Sequence, residues 1–231
     1  MMKRTISVPL TKKETILGAL YLFAEFALFP GLFAWGNSLL PTPLDDTKLN
    51  FVFYVVNFLS IAFIFRRFLS KNLESIRYPF YFLQVVIVGL AQYLLLNQLM
   101  GQLIFRLDPG FYNANDAAIA QMVDTNLSLM AIATIILVPL AEECLFRGLI
   151  FRNLYDISAP LAWVVSVAGF SAIHLVGFLG TLTPMELLIS FLQYVPAGIS
   201  LAWAYSKADS IFAPILIHAM VNAIGINIMR L

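Results

Sequence analysis

Residues 127–153 read LSLMAIATIILVPLAEECLFRGLIFRN. The run is longer than the roughly 20 apolar residues that cross a bilayer. It nevertheless holds Glu142, Glu143 and Arg147 in its interior. A charge at the centre of a spanning helix costs about 2.5–3.5 kcal/mol on insertion scales. Such residues persist where they pair, line a wet cavity or do chemistry. This stretch therefore predicts a membrane helix with a functional polar site built into it.

The rest of the chain agrees on the class. Of 231 residues, 61% are hydrophobic and 12% are charged. A soluble domain carries about 25% charged residues, so this chain has too few to cover a wet surface. Net charge is +1, which is uninformative about nucleic acid, but no basic patch interleaved with aromatics is present, so nucleic-acid binding is set aside. The single cysteine, Cys144, excludes disulfide frameworks and cysteine-based metal sites within one chain; its neighbours make it a packing residue.

Seven stretches are long and apolar enough to span: 14–36, 49–69, 79–104, 127–153, 160–179, 186–205 and 210–229. Dividing 79–125 differently gives eight. The expected fold is an all-α multi-pass transmembrane bundle forming a single integral membrane domain over 1–231. The first apolar run is too long for a signal peptide and lacks a cleavage site, so it reads as a retained span. The 105–125 connection, with Asp108, Asp116 and Asp124, reads as an external loop or surface helix. With the N-terminus cytoplasmic, Lys3, Arg4, Lys12, Lys13, Arg66, Arg67, Lys71, Arg77, Arg152 and Lys207 fall on the inner side. Only Lys48, Arg106 and Arg230 fall outside. That asymmetry supports an N-in orientation.

Four further polar residues lie in apolar stretches: Glu25, His174, His218 and Asn222. The two histidines are the only ones in the chain. Glu143 and Arg147 are four apart and share a helix face, so they can pair. Glu142 is turned from Glu143 by about 100° and is free to face elsewhere. His218 and Asn222 are also four apart. Counted from the helix ends, Glu142 and His174 both lie about 20 Å in. A carboxylate and an imidazole can hold and deprotonate a water, and a second imidazole with an amide can stabilise an oxyanion. Together they suit amide hydrolysis. A divalent metal such as zinc is the one cofactor the set could hold, through Glu142, His174 and His218, although the HExxH pair of metalloproteases is absent. A satisfied interhelical polar network is the plainer reading of the same residues. Glu25 has no motif partner and reads as structural or interfacial.

The segment from Ala141 to Gly148 resembles the EExxxR motif of the CPBP family of intramembrane proteases, which includes type II CAAX prenyl endopeptidases and the Abi and bacteriocin-immunity proteins. Phe170 to His174 resembles its FxxxH motif, and His218 to Asn222 its HxxxN motif. The three occur in order on separate apolar segments, and the resemblance covers about 127–226. It implies an intramembrane endopeptidase acting on a membrane-associated peptide or protein. Glu142 and His174 would activate water, His218 and Asn222 would bind the oxyanion, and Glu143 with Arg147 would support the site. The family is described both as metal-dependent and as glutamate-dependent, and that choice stays open.

Two other classes stand beside this one. Members of the family also serve as immunity factors or scaffolds without cleavage. Intramembrane Glu and His also mark small transporters, but no internal repeat of the kind carriers show is present. The small size and the lack of eukaryotic targeting signals point to a bacterial plasma membrane. Protein prenylation is not expected there. By analogy the substrate would be a bacteriocin precursor, a secretion leader or a pheromone.

Overall fold

A computed structural model describes residues 6–230. Ten helices account for the architecture: α1 (Lys12–Ala27), α2 (Phe29–Ser38), α3 (Asp46–Ile64), α4 (Arg66–Glu74), α5 (Pro79–Leu107), α6 (Ala114–Thr125), α7 (Leu127–Tyr155), α8 (Ala159–Ile173), α9 (Pro184–Ala208) and α10 (Phe212–Met229). No strand occurs among the described residues, so the all-α expectation holds.

The span count needs correction. Among the described residues, five helices (α3, α5, α7, α9 and α10) are long and apolar enough to cross a membrane. The first stretch is a pair, α1 and α2, bent by 55°. Pro30 explains the break, because it has no N–H to donate and its ring crowds the preceding turn. Counted as one span, the pair brings the total to six. The expected span at 160–179 is the apolar α8, which stops after 15 residues. It ends at His174, and a single 3-10 turn, Val176–Phe178, follows. There is no eighth span in 79–125: α6 is 12 residues long.

The segments read as inner-side loops meet at one end of the bundle. The Ser7 N–H donates to Asp209 Oδ1 at 2.7 Å, and Arg152 Nε donates to the Val8 carbonyl at 3.2 Å. Glu14 closes a capping box on Thr11, and its Oε1 accepts the Phe68 N–H at 2.9 Å. Asn72 is fully buried and joins α4 to α10. Its Nδ2 donates to the Phe68 carbonyl, and its Oδ1 accepts the Ile211 N–H at 2.9 Å. Lys3 and Arg4, counted above, lie outside the described residues.

α7 is the core of the bundle and is not a regular α-helix. Residues Ala133–Leu137 and Cys144–Phe151 are wound as π-helix. Such stretches insert an extra residue per turn and are frequent at functional sites. α3 packs along α7 on one side, α8 and α10 on the others, and α9 lies against α5, α8 and α10. α8 and α9 approach closely at Gly198, where a Cβ would stand 2.9 Å from Val167 Cγ1 and 3.3 Å from its Cα. No larger residue fits there without moving backbone.

Candidate active site

The EExxxR residues sit on the second π stretch and the turn before it. Arg147 and Glu143 are fully buried and paired, with Arg147 Nη1 donating to Glu143 Oε1 at 3.1 Å. Burying the two charges carries a desolvation penalty that their attraction offsets only with further bonds. Some of those bonds are present, while Arg147 Nε and Glu143 Oε2 have no partner among the described residues. Arg147 Nη2 donates to the Gly198 carbonyl at 3.1 Å, and the guanidinium lies over the Phe170 ring, 4.3 Å from its centroid. Glu143 Oε1 also takes His218 Nδ1 at 2.9 Å. Glu143 therefore joins α7 to α10 and holds an imidazole as well as the arginine.

Glu142 faces another direction, as its offset from Glu143 requires. Its Oε2 is buried and has no hydrogen-bond partner among the described residues. His218 Nε2 lies 3.9 Å away. That is beyond a hydrogen bond. A water bonded to both atoms at about 2.8 Å would fit the separation.

His174 is placed differently. Its Nδ1 bonds the Phe170 carbonyl at 2.9 Å. A carbonyl only accepts, so this nitrogen carries the proton and a neutral ring leaves Nε2 as an acceptor. The same holds for His218 if Glu143 is ionised beside Arg147. Phe170 is the hub between the rings: its centroid lies 5.1 Å from His174 and 5.7 Å from His218, both edge-on. His174 also stacks on Tyr194 at 3.9 Å with an interplanar angle of 18°.

Asn222 donates from Nδ2 to the Thr134 carbonyl at 2.7 Å. The need for that bond comes from the first π stretch. The Val138 N–H reaches back to Ala133. In that register the next donor, owed to Thr134, would be residue 139. That residue is proline and has no N–H. Asn222 supplies the missing donor from α10 and keeps one amide hydrogen to spare.

Of the residues expected from sequence, Glu142, Glu143, Arg147 and His218 are in direct or near contact. His174 joins them through Phe170, and Asn222 is anchored on α7 one turn beyond His218. Glu142, His174 and His218 do not converge as a metal-ligand set, and among the described residues no three His, Cys, Asp or Glu side chains do. As arranged they do not fit a metal. Glu25 is buried and bonded by Asn57 Nδ2 at 2.5 Å. Sequence reasoning missed Phe170 as a hub, the Gly198 carbonyl and Tyr194. Gly198 and Tyr194 lie outside the three motifs. α6 reaches Tyr194 through Asp116, whose carboxyl is raised above the ordinary aspartate value chiefly by burial.

Residues 124–224 match the family of Rce1-like type II CAAX prenyl endopeptidases. The resemblance read from the three motifs is borne out. The Rce1-like stretch contains all three of them, and α1 to α5 lie outside it. The chain is also 32% identical over 96 residues to the UPF0177 protein YxdF of Lactococcus lactis subsp. lactis. That alignment takes in 42% of this chain and 48% of the relative, so the chain spans about half the length of the curated protein it matches. No solved structure matches.

Proposed function

We propose that the chain is an intramembrane endopeptidase that hydrolyses a peptide bond of a membrane-associated peptide or protein. The observation that carries this is the pairing of an unpartnered buried Glu142 Oε2 with His218 Nε2 3.9 Å away, the latter ring held from behind by Glu143. A water between them gives its proton to Glu142 as its oxygen attacks the scissile carbonyl carbon. The carbonyl π electrons move onto oxygen. The tetrahedral adduct collapses, the C–N bond breaks, and Glu142 returns the proton to the leaving amine.

The histidine roles follow from their tautomers. With both Nδ1 atoms protonated, each neutral Nε2 accepts, so His218 suits holding the water with Glu142. His174 suits the same task from the far side of Phe170. An oxyanion contact from either histidine requires its imidazolium form. The spare Asn222 amide hydrogen is a neutral donor for that charge. Glu143 and Arg147 position His218 and do not touch substrate. The bacterial relative and the basic end of the bundle support a bacterial plasma membrane with the N-terminus inside. Prenylated substrates are not expected there.

The test does not require the substrate to be known. Membrane-fraction protein termini are compared between cells with wild type and with Glu142→Gln at equal abundance. The reading expects termini present with wild type and missing from the variant. Identical sets in the two would overturn it, and a phenotype that survives the substitution would favour immunity or scaffolding.

A further inference from the structure

His174 needs more than its own helix to hold it. Among the described residues its ring makes one hydrogen bond, to the Phe170 carbonyl four residues earlier, at the C-terminus of α8. Phe170 meets one side of its ring edge-on, and the Tyr194 ring covers a face at 3.9 Å. Tyr194 is held in turn by α6. Its O–H lies 3.0 Å from Asp116 Oδ1 and 3.2 Å from Asn113 Oδ1. The single proton goes to one acceptor, and the carboxylate is the stronger. Asn115 Nδ2 donates to the same hydroxyl oxygen at 3.1 Å. The neighbouring residue is braced as well: Gln193 Nε2 donates to Asp116 Oδ2 at 3.1 Å, and Asn113 Nδ2 donates to Gln193 Oε1 at 3.1 Å. Asn113 is the N-cap of α6, accepting the Asn115 and Asp116 N–H groups, so the turn that carries these groups is itself fixed.

Three polar residues of one short turn thus converge on two consecutive residues of α9. Docking an apolar helix would not need that density. The whole turn precedes residue 124, where the Rce1-like stretch begins. We infer that Tyr194 is a positioning residue for His174, and that the Asn113–Asp116 turn of α6 is the part of the chain that sets its ring. The inference rests on the endopeptidase reading for its consequence in catalysis, but the placement of His174 can be measured without it.

The chain has only two histidines, so full-length protein labelled with 15N-histidine in lipid nanodiscs gives two imidazoles, assigned with His218→Gln. Tyr194→Leu removes the ring, Tyr194→Phe removes only the hydroxyl tether, and Asp116→Asn alters the tether without touching His174. The expected result is that all three move the His174 ring signals while those of His218 stay. Unmoved His174 signals in Tyr194→Phe and Asp116→Asn would overturn the relay. Equal movement of both histidines would overturn it too, since that marks a general loss of packing. In the comparison of membrane-fraction termini, the Glu142-dependent termini should form about tenfold more slowly with Tyr194→Phe and about 100-fold more slowly with Tyr194→Leu at equal abundance. If Glu142→Gln leaves cleavage intact, the endopeptidase reading falls and the histidine spectra still decide the role of Tyr194.

Discussion

The two halves of the molecule use the same kind of sequence differently. In the C-terminal half, 56% of the apolar stretch of α7, 44% of that of α9 and 28% of that of α10 is buried inside the protein. In the N-terminal half the figure is 17% for both α3 and α5. Side chains such as Phe63 and Phe80 stand exposed there, as lipid-facing positions do. Both halves bury polar groups, but to different ends. In α7, α8 and α10 Glu143, Arg147 and His218 converge on one another, with Glu142 Oε2 3.9 Å from the same imidazole. In α1 and α4 Glu14 and Asn72 tie helix ends together, and Glu25 of α1 meets Asn57 mid-way along α3. Hydropathy alone does not separate a helix that builds a site from one that encloses it. The π-helical winding and the buried ion pair do.

The largest effect that would break this contrast lies at Arg147. Arg147→Met removes the cation and strands Glu143 in the core, which should cost about 3–5 kcal/mol. The measurement is reversible unfolding in bicelles. The double variant with Glu143→Gln should recover part of the loss, because no uncompensated charge then remains, but it should not recover cleavage, because His218 has lost its anionic anchor. A small cost for Arg147→Met alone would mean that the pair is not the lock of the C-terminal half.

Smaller effects compare one asparagine from each half. Asn72→Ala leaves the Ile211 N–H and the Phe68 carbonyl without their side-chain partner. Asn222→Ala leaves the Thr134 carbonyl without a donor. Each should cost about 1–3 kcal/mol. They should differ in rate: corrected for folded fraction, Asn72→Ala should cleave as wild type does, and Asn222→Ala should be slower. Equal rates for the two would remove Asn222 from the chemistry and leave it a patch for the π-helix.

The sequence made much of this visible, for reasons that can be named. Glu142, Glu143 and Arg147 were legible because charges in an apolar run are costly and therefore conspicuous. The offset between Glu142 and Glu143 followed from helix geometry, and the pairing of Glu143 with Arg147 from their spacing. The Glu143 bond to His218 was not legible, since it joins residues 75 apart whose depths could be counted only roughly. The truncation of α8 was hidden because its apolar composition runs on past His174. Tyr194 was hidden because a tyrosine in an apolar helix looks like any lipid-facing aromatic. Pro139 and Asn222 could each be seen, but the link between them needs the π register, which composition does not encode.

The smallest expected effect gives the sharpest form of the comparison. Glu25 and Glu142 each carry a buried, unpartnered Oε2. Glu25 has no ion-pair partner among the described residues, and the Oδ1 of its neighbour Asn57 also lacks a donor. Glutamine keeps the shape, removes the charge and offers an N–H to that oxygen. Glu25→Gln should therefore change stability by no more than about 1 kcal/mol, in the stabilising direction, and leave Glu142-dependent cleavage as in wild type. The same substitution at Glu142 should abolish cleavage, because an amide cannot take the water's proton. Loss of cleavage in Glu25→Gln with unchanged stability would place α1 inside the site, and the division between a half that builds the site and a half that encloses it would then be wrong.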